Sequence, residues 1–301
     1  MIEGYKILVT GPFNGKSHTL FMQAFVKKLL DRSHEVTFVT SISMSKQKIS
    51  NYTEILIDPS LDFNLLVPQE ELYRMSDRSP FGVVSDIINV SSLSTDFALS
   101  NKNVQNLIHS DHLHFDLVIN EEFFHDAFSM FGYRFNAPVV TICPYGNSDF
   151  FDRQMGLLTP WSHIPHMSLT YSDNMSFMER YYNMVLSTYD WLLRTFVHYP
   201  AQNEIAKKNF GHLGALPTIE EVNRNVSLIL VNTHRSLAPP RPSMPNIINI
   251  GGAHVKPAKP LPPNIKKFLD ESTDGAIYFS LGTIIEGSKM PKEKLKTFLS
   301  K

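Results

Sequence analysis

The sequence predicts an α/β protein in which a parallel sheet is followed by a linker and one further βα unit. In residues 1–140, short apolar, β-branched runs alternate with amphipathic stretches, which is typical of βα units packed around a parallel sheet. Prolines and a glycine pair cluster in residues 239–263. One more βα pattern follows this cluster, so a second domain is expected to begin there.

The strands of the predicted sheet are short and apolar, and an amphipathic helix separates the first two. That helix spans Ser17–Arg32, where Phe21, Phe25 and Leu29 recur every four residues and form one buried face. The five predicted strands of this region are Lys6–Val9, Val36–Thr40, Glu54–Ile57, Leu117–Asn120 and Val139–Ile142.

The remaining elements follow from the same patterns. The helices predicted before the proline cluster are Phe123–Phe135, Ser176–His198 and Ile219–Arg224, and Ser227–Val231 is a further strand. Beyond the cluster, the pattern predicts a short helix at Ile265–Leu269, a strand at Ala276–Ser280 and a helix at Pro291–Leu299.

The domain boundaries are set by the proline cluster, because prolines neither continue a helix nor sit in a central strand. Residues 1–238 are expected to form the N-terminal domain and residues 239–263 the Pro/Gly-rich linker. A doubly wound domain needs several βα units to cover both faces of its sheet. Residues 264–301 are therefore expected to be the truncated start of a second domain.

Composition excludes several classes of function. Lys and Arg number 28 against 29 for Asp and Glu, giving a net charge of -1, so nucleic acid is not an expected partner. The single cysteine, Cys143, lies in an apolar run and is expected to be a buried structural thiol. No histidine has metal-ligand spacing, so no metal is expected. Neither a signal peptide nor an apolar run long enough to span a membrane is recognised.

Three groups of segments, in this order along the chain, resemble the UDP-glycosyltransferase family, in the wording of its insect members. The first group is Tyr5–Thr10 with Gly15–His18, the second is Phe115–Ile119 with Phe123–Asp126 and Tyr133–Pro138, and the third is Ile250–His254 with Lys259–Pro262 and Gly275–Thr283. Together they cover nearly the whole chain.

The resemblance implies a fold of the GT-B type, with two facing Rossmann-like domains. The complete N-terminal domain would hold the acceptor, and the truncated second domain would begin the UDP-sugar site. The implied function is inverting transfer of a hexosyl group from a UDP-sugar to a hydroxyl of a small lipophilic acceptor, in detoxification, with the UDP-sugar as co-substrate and no cofactor. It also implies the endoplasmic reticulum lumen or membrane, although the family's signal peptide and transmembrane helix are not found in this sequence.

As a truncated chain, the protein is expected to be inactive by itself. The alternative is a non-catalytic fragment that binds lipophilic compounds or pairs with full-length relatives in an oligomer.

The reaction needs a base to take the acceptor's proton, and His18 matches the family's histidine position. At the start of a helix, the positive end of the dipole keeps an imidazole neutral and basic. The carboxylate that orients this base falls on Glu121, counting from Phe115, where the family has the shorter aspartate. Asp126 is the second candidate and Glu122 a weaker one. These acids could instead merely begin the Phe123 helix.

Two further groups of site residues are expected from the resemblance and from apolar character. Ser280, Gly282 and Thr283 match the part of the family's donor phosphate-binding apparatus that lies in this chain. The residues that could line an acceptor pocket are Phe13, Phe151, Met155 and Trp161, although core packing is an equal alternative for each.

A phosphate-binding P-loop was weighed against this assignment, because Gly11–Ser17 follows a strand and precedes a helix. A Walker loop has four residues between its glycines, whereas three separate Gly11 from Gly15. Pro12 also removes one of the amides that would bind phosphate. The sequence therefore disfavours a nucleoside triphosphatase.

Overall fold

A computed structural model describes residues 4–58, 67–75 and 77–299. Within these residues, seven parallel strands form one sheet in the order β3-β2-β1-β4-β5-β6-β7. The strands are β1 Lys6–Gly11, β2 Glu35–Thr40, β3 Tyr52–Leu56, β4 Leu117–Glu121, β5 Val139–Cys143, β6 Leu228–Val231 and β7 Ile247–Asn249. The predicted α/β fold with a Rossmann-like N-terminal domain is confirmed. Its strand order reverses between β1 and β4, where the crevice of such sheets lies.

Helices join the strands, and several of them were not predicted. They are α1 Lys16–Asp31, α2 Gln69–Met75, α3 Pro80–Ser100, α4 Lys102–Ile108, α5 Met130–Phe135, α6 Asp149–Gln154, α7 Phe177–Leu193, α8 Tyr199–Phe210, α9 Ile219–Arg224, α10 Pro263–Glu271 and α11 Lys292–Leu299. A π-helical turn, Arg194–His198, joins α7 directly to α8, and short 3-10 turns occupy Asp126–Ser129, Gly211–Leu213 and Gly287–Lys289. Helices α2, α3, α4, α6 and α8 are additions to the predicted elements.

The sheet is buried on both faces, as the alternation of side chains along β1 illustrates. Ile7 and Val9 pack with Phe21 of α1 on one face, whereas Leu8 packs with Leu99 of α3 and Phe210 of α8 on the other. Strands covered on both faces read as nearly continuous apolar runs. This burial fixes the carboxyl ends of β1 and β4 side by side.

The helix predicted at Phe123–Phe135 is interrupted at its start. Phe124 has a φ of 63°, in the left-handed region that a helix does not use. A 3-10 turn begins only at Asp126, and α5 begins at Met130. The prediction was therefore wrong for the first residues, because the chain turns sharply after β4.

The region after residue 239 differs from the prediction in two places. Ile247–Asn249 pairs with β6 as the edge strand β7, inside the predicted linker. Ala276–Ser280, predicted as a strand, is not one, and Ile277 and Tyr278 are 98% and 91% exposed. A strand needs a hydrogen-bonded neighbour, and no described strand lies beside this segment. The domain boundaries themselves stay predictions.

No helix in the described ranges has the length and apolar character needed to cross a lipid bilayer.

Candidate active site

His18 and Glu121 meet at the carboxyl edge of the sheet. His18 Nδ1 lies 2.6 Å from Glu121 Oε1, and the side chains are 15% and 1% exposed, respectively. A carboxylate has only acceptor oxygens, so Nδ1 carries the proton and donates it to Glu121. In the neutral imidazole, Nε2 is then left with a free lone pair, as a general base requires.

Neighbouring elements bring these two residues together. β1 and β4 pair in parallel with Thr10 opposite Asn120, and the Thr10 hydroxyl donates to Asn120 Oδ1 at 2.8 Å. Glu121 is the next residue of β4, while the chain leaves β1 at Gly11 and enters α1, whose third residue is His18. The sequence predicted this pairing of elements from the βα pattern.

Two phenylalanine rings enclose the imidazole of His18. The ring centroids of Phe13 and Phe123 lie 4.6 and 4.5 Å from that of His18, both in edge arrangements, and 4.4 Å from each other. Phe13 folds back over Gly15, where a Cβ would come within 2.4 Å of its ring. Glycine at position 15 therefore permits this aromatic enclosure.

Gly15→Ala is expected to lower the free energy of unfolding by about 1–3 kcal/mol, the usual cost of overpacking, because Phe13 is buried and has to move. Urea unfolding followed by circular dichroism measures the change. Gly211→Ala is the matched control, since a Cβ there meets nothing within 4 Å. Equal stability of the two variants would contradict the packing of Phe13 on Gly15.

The turn after β4 holds Phe123 against His18 at the cost of a strained residue. A bulky side chain in the left-handed region costs on the order of 1–3 kcal/mol, and Phe124 has this conformation. Its N–H donates to Glu122 Oε1 at 3.2 Å, and the Arg194 guanidinium lies 4.6 Å from its ring centroid. These contacts hold the turn in place.

Glu122, the weakest carboxylate candidate, lies beside this turn and contacts Phe124 rather than His18. Burial, reinforced by the charge of Asp126, raises the pKa of Glu122 well above its usual range. The group is therefore a neutral acid over much of the range in which ordinary carboxyls are ionised.

The raised pKa gives a prediction for stability. The folded protein keeps a proton on Glu122 that the unfolded chain releases near its ordinary pKa of about 4.3, so this group makes stability fall as pH rises above that value. Glu122→Gln removes a slope of up to about 1.4 kcal/mol per pH unit. The variant is expected to gain stability relative to wild type between pH 5 and pH 8.

Thermal or urea unfolding at several pH values checks this expectation, with Glu204→Gln, an exposed glutamate of α8, as the control. A pH-independent difference between Glu122→Gln and wild type would show that Glu122 ionises normally in the fold.

Asp126, the second carboxylate candidate, belongs to a different buried cluster. Its Oδ2 lies 2.6 Å from His198 Nε2, and its Oδ1 accepts Asn223 Nδ2 at 2.7 Å. Burial alone would raise the pKa of Asp126, but the hydrogen bond and charge of His198 outweigh burial and lower it. The structure thus places Glu121, and not Asp126, on His18.

An apolar cavity of about 580 Å³ lies next to the His18 enclosure. Phe13 and Phe123 belong both to this cavity and to the ring cluster around His18. The rest of the wall comes mainly from α2 and α3 and from the segment after the predicted linker, and includes Leu72, Met75, Ile87, Val90, Phe124, His125, Leu281, Ile284 and Ile285. Its size and apolar character are those of a small-molecule site.

Of the four residues predicted for an acceptor pocket, only Phe13 lines this cavity. Phe151 is 0% exposed in the sheet core, and Met155 packs against the same core. Trp161 lies beside Arg153, whose guanidinium is 5.2 Å from its ring centroid. Apolar side chains do not reveal in the sequence whether they face a cavity or the core.

His125 is a wall residue that the sequence analysis did not single out. Burial lowers the pKa of His125 to about 3, so the ring is neutral. Its Nε2 lies 3.0 Å from Ser94 Oγ, which itself donates to the Ser91 carbonyl. Nε2 therefore donates to Ser94. Its place in Phe123–Asp126, a segment quoted for the resemblance, was the available signal.

The segment that carries the predicted phosphate-binding residues borders the same cavity. The Gln69 side chain bonds both the Ile284 carbonyl, at 2.7 Å, and the Glu286 N–H, at 2.9 Å. Ser280, Gly282 and Thr283 are exposed just before this clamp, and Gly282 has a φ of 83°. Their role in phosphate binding stays a prediction.

The remaining titratable groups suggest no other chemistry. Cys143 is fully buried, and burial raises the pKa of its thiol well above the usual range, so it is a poor nucleophile. Across the residues that the structure describes, no group of three or more His, Cys, Asp or Glu side chains is arranged to hold a metal ion.

Comparison with known proteins points to one family. The family model described as "UDP-glucoronosyl and UDP-glucosyl transferase" matches residues 6–300. UDP-glycosyltransferase UGT5 of Dactylopius coccus is 29% identical over 98% of this chain and 56% of its own length. UDP-glycosyltransferase UGT4 of the same organism is 31% identical over 94% and 55%.

More distant relatives match over a similar range. Human UDP-glucuronosyltransferase 2B15 is 27% identical over 94% of this chain and 56% of its own length. A solved UDP-glucosyltransferase from Polygonum tinctorium shares 14% identity with a TM-score of 0.48, over 90% of this chain and 57% of that chain. The chain therefore spans about half the length of the curated relatives that it matches.

Proposed function

Because the chain belongs to the UDP-glucoronosyl and UDP-glucosyl transferase family, we propose that it forms the acceptor half of an inverting hexosyltransferase. The enzyme would transfer a hexosyl group from a UDP-sugar to a hydroxyl of a small lipophilic acceptor. The observation that carries this proposal is the 2.6 Å contact between His18 Nδ1 and the buried Glu121, beside an apolar cavity.

In this proposal, His18 is the base and Glu121 is the residue that orients it. Nε2 of His18 takes the acceptor's hydroxyl proton while the acceptor oxygen attacks the anomeric carbon of the sugar. The bond from that carbon to UDP breaks on the opposite side, so the configuration inverts. The imidazolium that forms is stabilised by Glu121, in the manner of a catalytic triad. Asp126 has no direct part in this scheme.

The class of acceptor follows from the cavity. Walls formed by Phe13, Phe123 and the aliphatic residues of α2 and α3 favour lipophilic compounds. Phe13 and Phe123, which line the cavity and contact His18, would place an acceptor hydroxyl near the imidazole.

The donor is expected to bind with the help of Ser280, Gly282 and Thr283, whose segment borders the cavity through Leu281 and Ile284. The groups that hold uridine and ribose lie outside these 301 residues in this proposal, because the chain covers about half of its relatives. We therefore expect no turnover by the 301 residues alone. A role in detoxification and a location at the endoplasmic reticulum belong to the same proposal.

Calorimetric titration of the 301-residue chain tests the acceptor site. Small phenols are expected to bind, and UDP-glucose alone is not. Leu72→Trp, which fills the cavity from α2, is expected to abolish phenol binding. Leu93→Trp places the same side chain on an exposed position of α3, where Leu93 is 63% exposed, and is expected to leave phenol binding unchanged.

Phenol binding that survives Leu72→Trp would contradict this site. Phenol binding by the chain, without turnover when it is joined to a relative's donor half, would favour the alternative: a non-catalytic fragment that binds lipophilic compounds or pairs with full-length relatives.

A further inference from the structure

A second cavity, of about 420 Å³, lies in the N-terminal domain and shares no lining residue with the first. It is bounded by α6 and the turn after it, by the junction of α7 with the π-helical turn, and by α9. Its volume falls within the range of roughly 300–1,000 Å³ typical of ligand pockets. Nothing in the proposed sugar transfer uses it.

Two buried polar atoms on residues that line this cavity lack partners. Arg194 is 6% exposed, and its Nε donates to both carboxylate oxygens of Asp190 at 3.1 Å. Its Nη1 and the Oε1 of Gln154 have no hydrogen-bond partner among the described residues. An unpartnered buried polar group costs about 1–3 kcal/mol. A ligand with an acceptor for Arg194 and a donor for Gln154 would relieve both costs.

The charges around the cavity balance. Its lining includes the three arginines Arg153, Arg194 and Arg224 and the three acids Asp149, Asp190 and Glu220. Burial alone would raise the pKa of Asp190, but Arg194 and His166 lower it to about 2, so Asp190 is ionised. A lining with three charges of each sign favours a ligand that also carries both signs.

The apolar part of the wall is aromatic. Phe150, Trp191 and Tyr199 line the cavity, and the guanidinium of Arg194 lies 4.6 Å from the Phe150 ring centroid. Arg153 lies 5.4 Å from the Trp191 ring centroid. Rings and guanidinium planes of this kind stack on a flat aromatic ligand.

We propose that this cavity binds a small aromatic zwitterion, of the chemical class of an aromatic amino acid. Its carboxylate pairs with Arg194 Nη1, and its ammonium group donates to Gln154 Oε1 next to Asp149. Its ring packs against the aromatic wall. The site is separate from the acceptor cavity, so the proposal holds whether or not the chain takes part in sugar transfer.

Calorimetric titration of the 301-residue chain with L-phenylalanine tests the proposal. Phenylpropionate, which lacks the ammonium group, and phenethylamine, which lacks the carboxylate, are each expected to bind about tenfold more weakly, because each leaves one buried partner unmade. Equal affinity for all three compounds, or no binding of L-phenylalanine at millimolar concentration, would overturn the proposal.

Matched variants locate the site. Thr195 lines the cavity and Thr188 does not, yet both hydroxyls donate to the carbonyl four residues earlier, at 2.8 and 2.7 Å. Thr195→Trp is expected to abolish L-phenylalanine binding and Thr188→Trp to preserve it. Gln154→Leu, a milder change, is expected to weaken binding about tenfold, and circular dichroism confirms that each variant is folded.

Leu72→Trp, in the first cavity, is expected to leave L-phenylalanine binding unchanged. Binding that Thr195→Trp and Gln154→Leu both preserve, or that Leu72→Trp abolishes, would place the ligand elsewhere and overturn the proposal.

Discussion

His18→Ala is expected to lower kcat by about 10²–10⁴-fold, the usual contribution of a positioned general base, when residues 1–301 are joined to the donor half of a related UDP-glycosyltransferase. Without an imidazole beside the acceptor, its hydroxyl proton has no acceptor as the oxygen attacks. The measurement is steady-state transfer from UDP-glucose to a phenol that binds the chain.

The control and the partner residue sharpen this prediction. His112→Ala removes an exposed histidine and is expected to leave kcat unchanged. Glu121→Gln keeps the size of the side chain but removes the charge that stabilises the imidazolium. The double variant His18→Ala with Glu121→Gln is expected to be no slower than His18→Ala alone, because the two residues act as a unit. Unchanged kcat in His18→Ala would refute the role of His18.

Asp126→Asn is expected to lower the free energy of unfolding by about 3–5 kcal/mol at pH 7, because it removes one partner of a buried charged pair. Asp126 is 2% exposed, and His198, at 2.6 Å, is 0% exposed. Urea unfolding followed by circular dichroism measures the change. Asp173→Asn, at an exposed position, is the control and is expected to change stability little.

The pH dependence of this effect has a definite sign. The pKa of Asp126 is lower in the folded protein than in the unfolded chain, so its contribution is fully present above the unfolded value of about 3.9. It is lost as pH falls through the folded pKa. The difference between Asp126→Asn and wild type is therefore expected to shrink below pH 4. A stable variant with a large loss of kcat would instead point to a catalytic role for Asp126.

The sequence predicted the part of the site that depends on the βα pattern. Strands β1 and β4 are apolar runs buried on both faces, and the period of Phe21, Phe25 and Leu29 marks α1. Knowing these elements places His18 and Glu121 at one edge of the sheet, because the carboxyl ends of adjacent parallel strands lie together. Counting along β4 favoured Glu121 but left Asp126 open, since spacing alone does not say which carboxylate faces the histidine.

The walls of the first cavity could not be predicted, for physical reasons that differ between segments. Helix α3 is rich in serine and β-branched residues, which are weak helix formers, and Val84 and Ile88 are buried by tertiary contacts. The sharp turn at Phe124 needs a left-handed residue, and phenylalanine gives no signal for it. The apolar run Ala276–Ser280 resembles a strand, but a strand forms only beside another strand.

The most direct test of the proposed His18–Glu121 pair is the tautomer of His18, measured by nitrogen-15 NMR on the histidine-labelled 301-residue chain. Comparison with His18→Asn assigns the signals of His18. At pH 8, where an unperturbed imidazole is neutral, the account predicts a proton on Nδ1, hydrogen-bonded to Glu121, and an unprotonated Nε2. A proton on Nε2 with Nδ1 bare would contradict it, because His18 would then have no lone pair with which to take a proton from an acceptor.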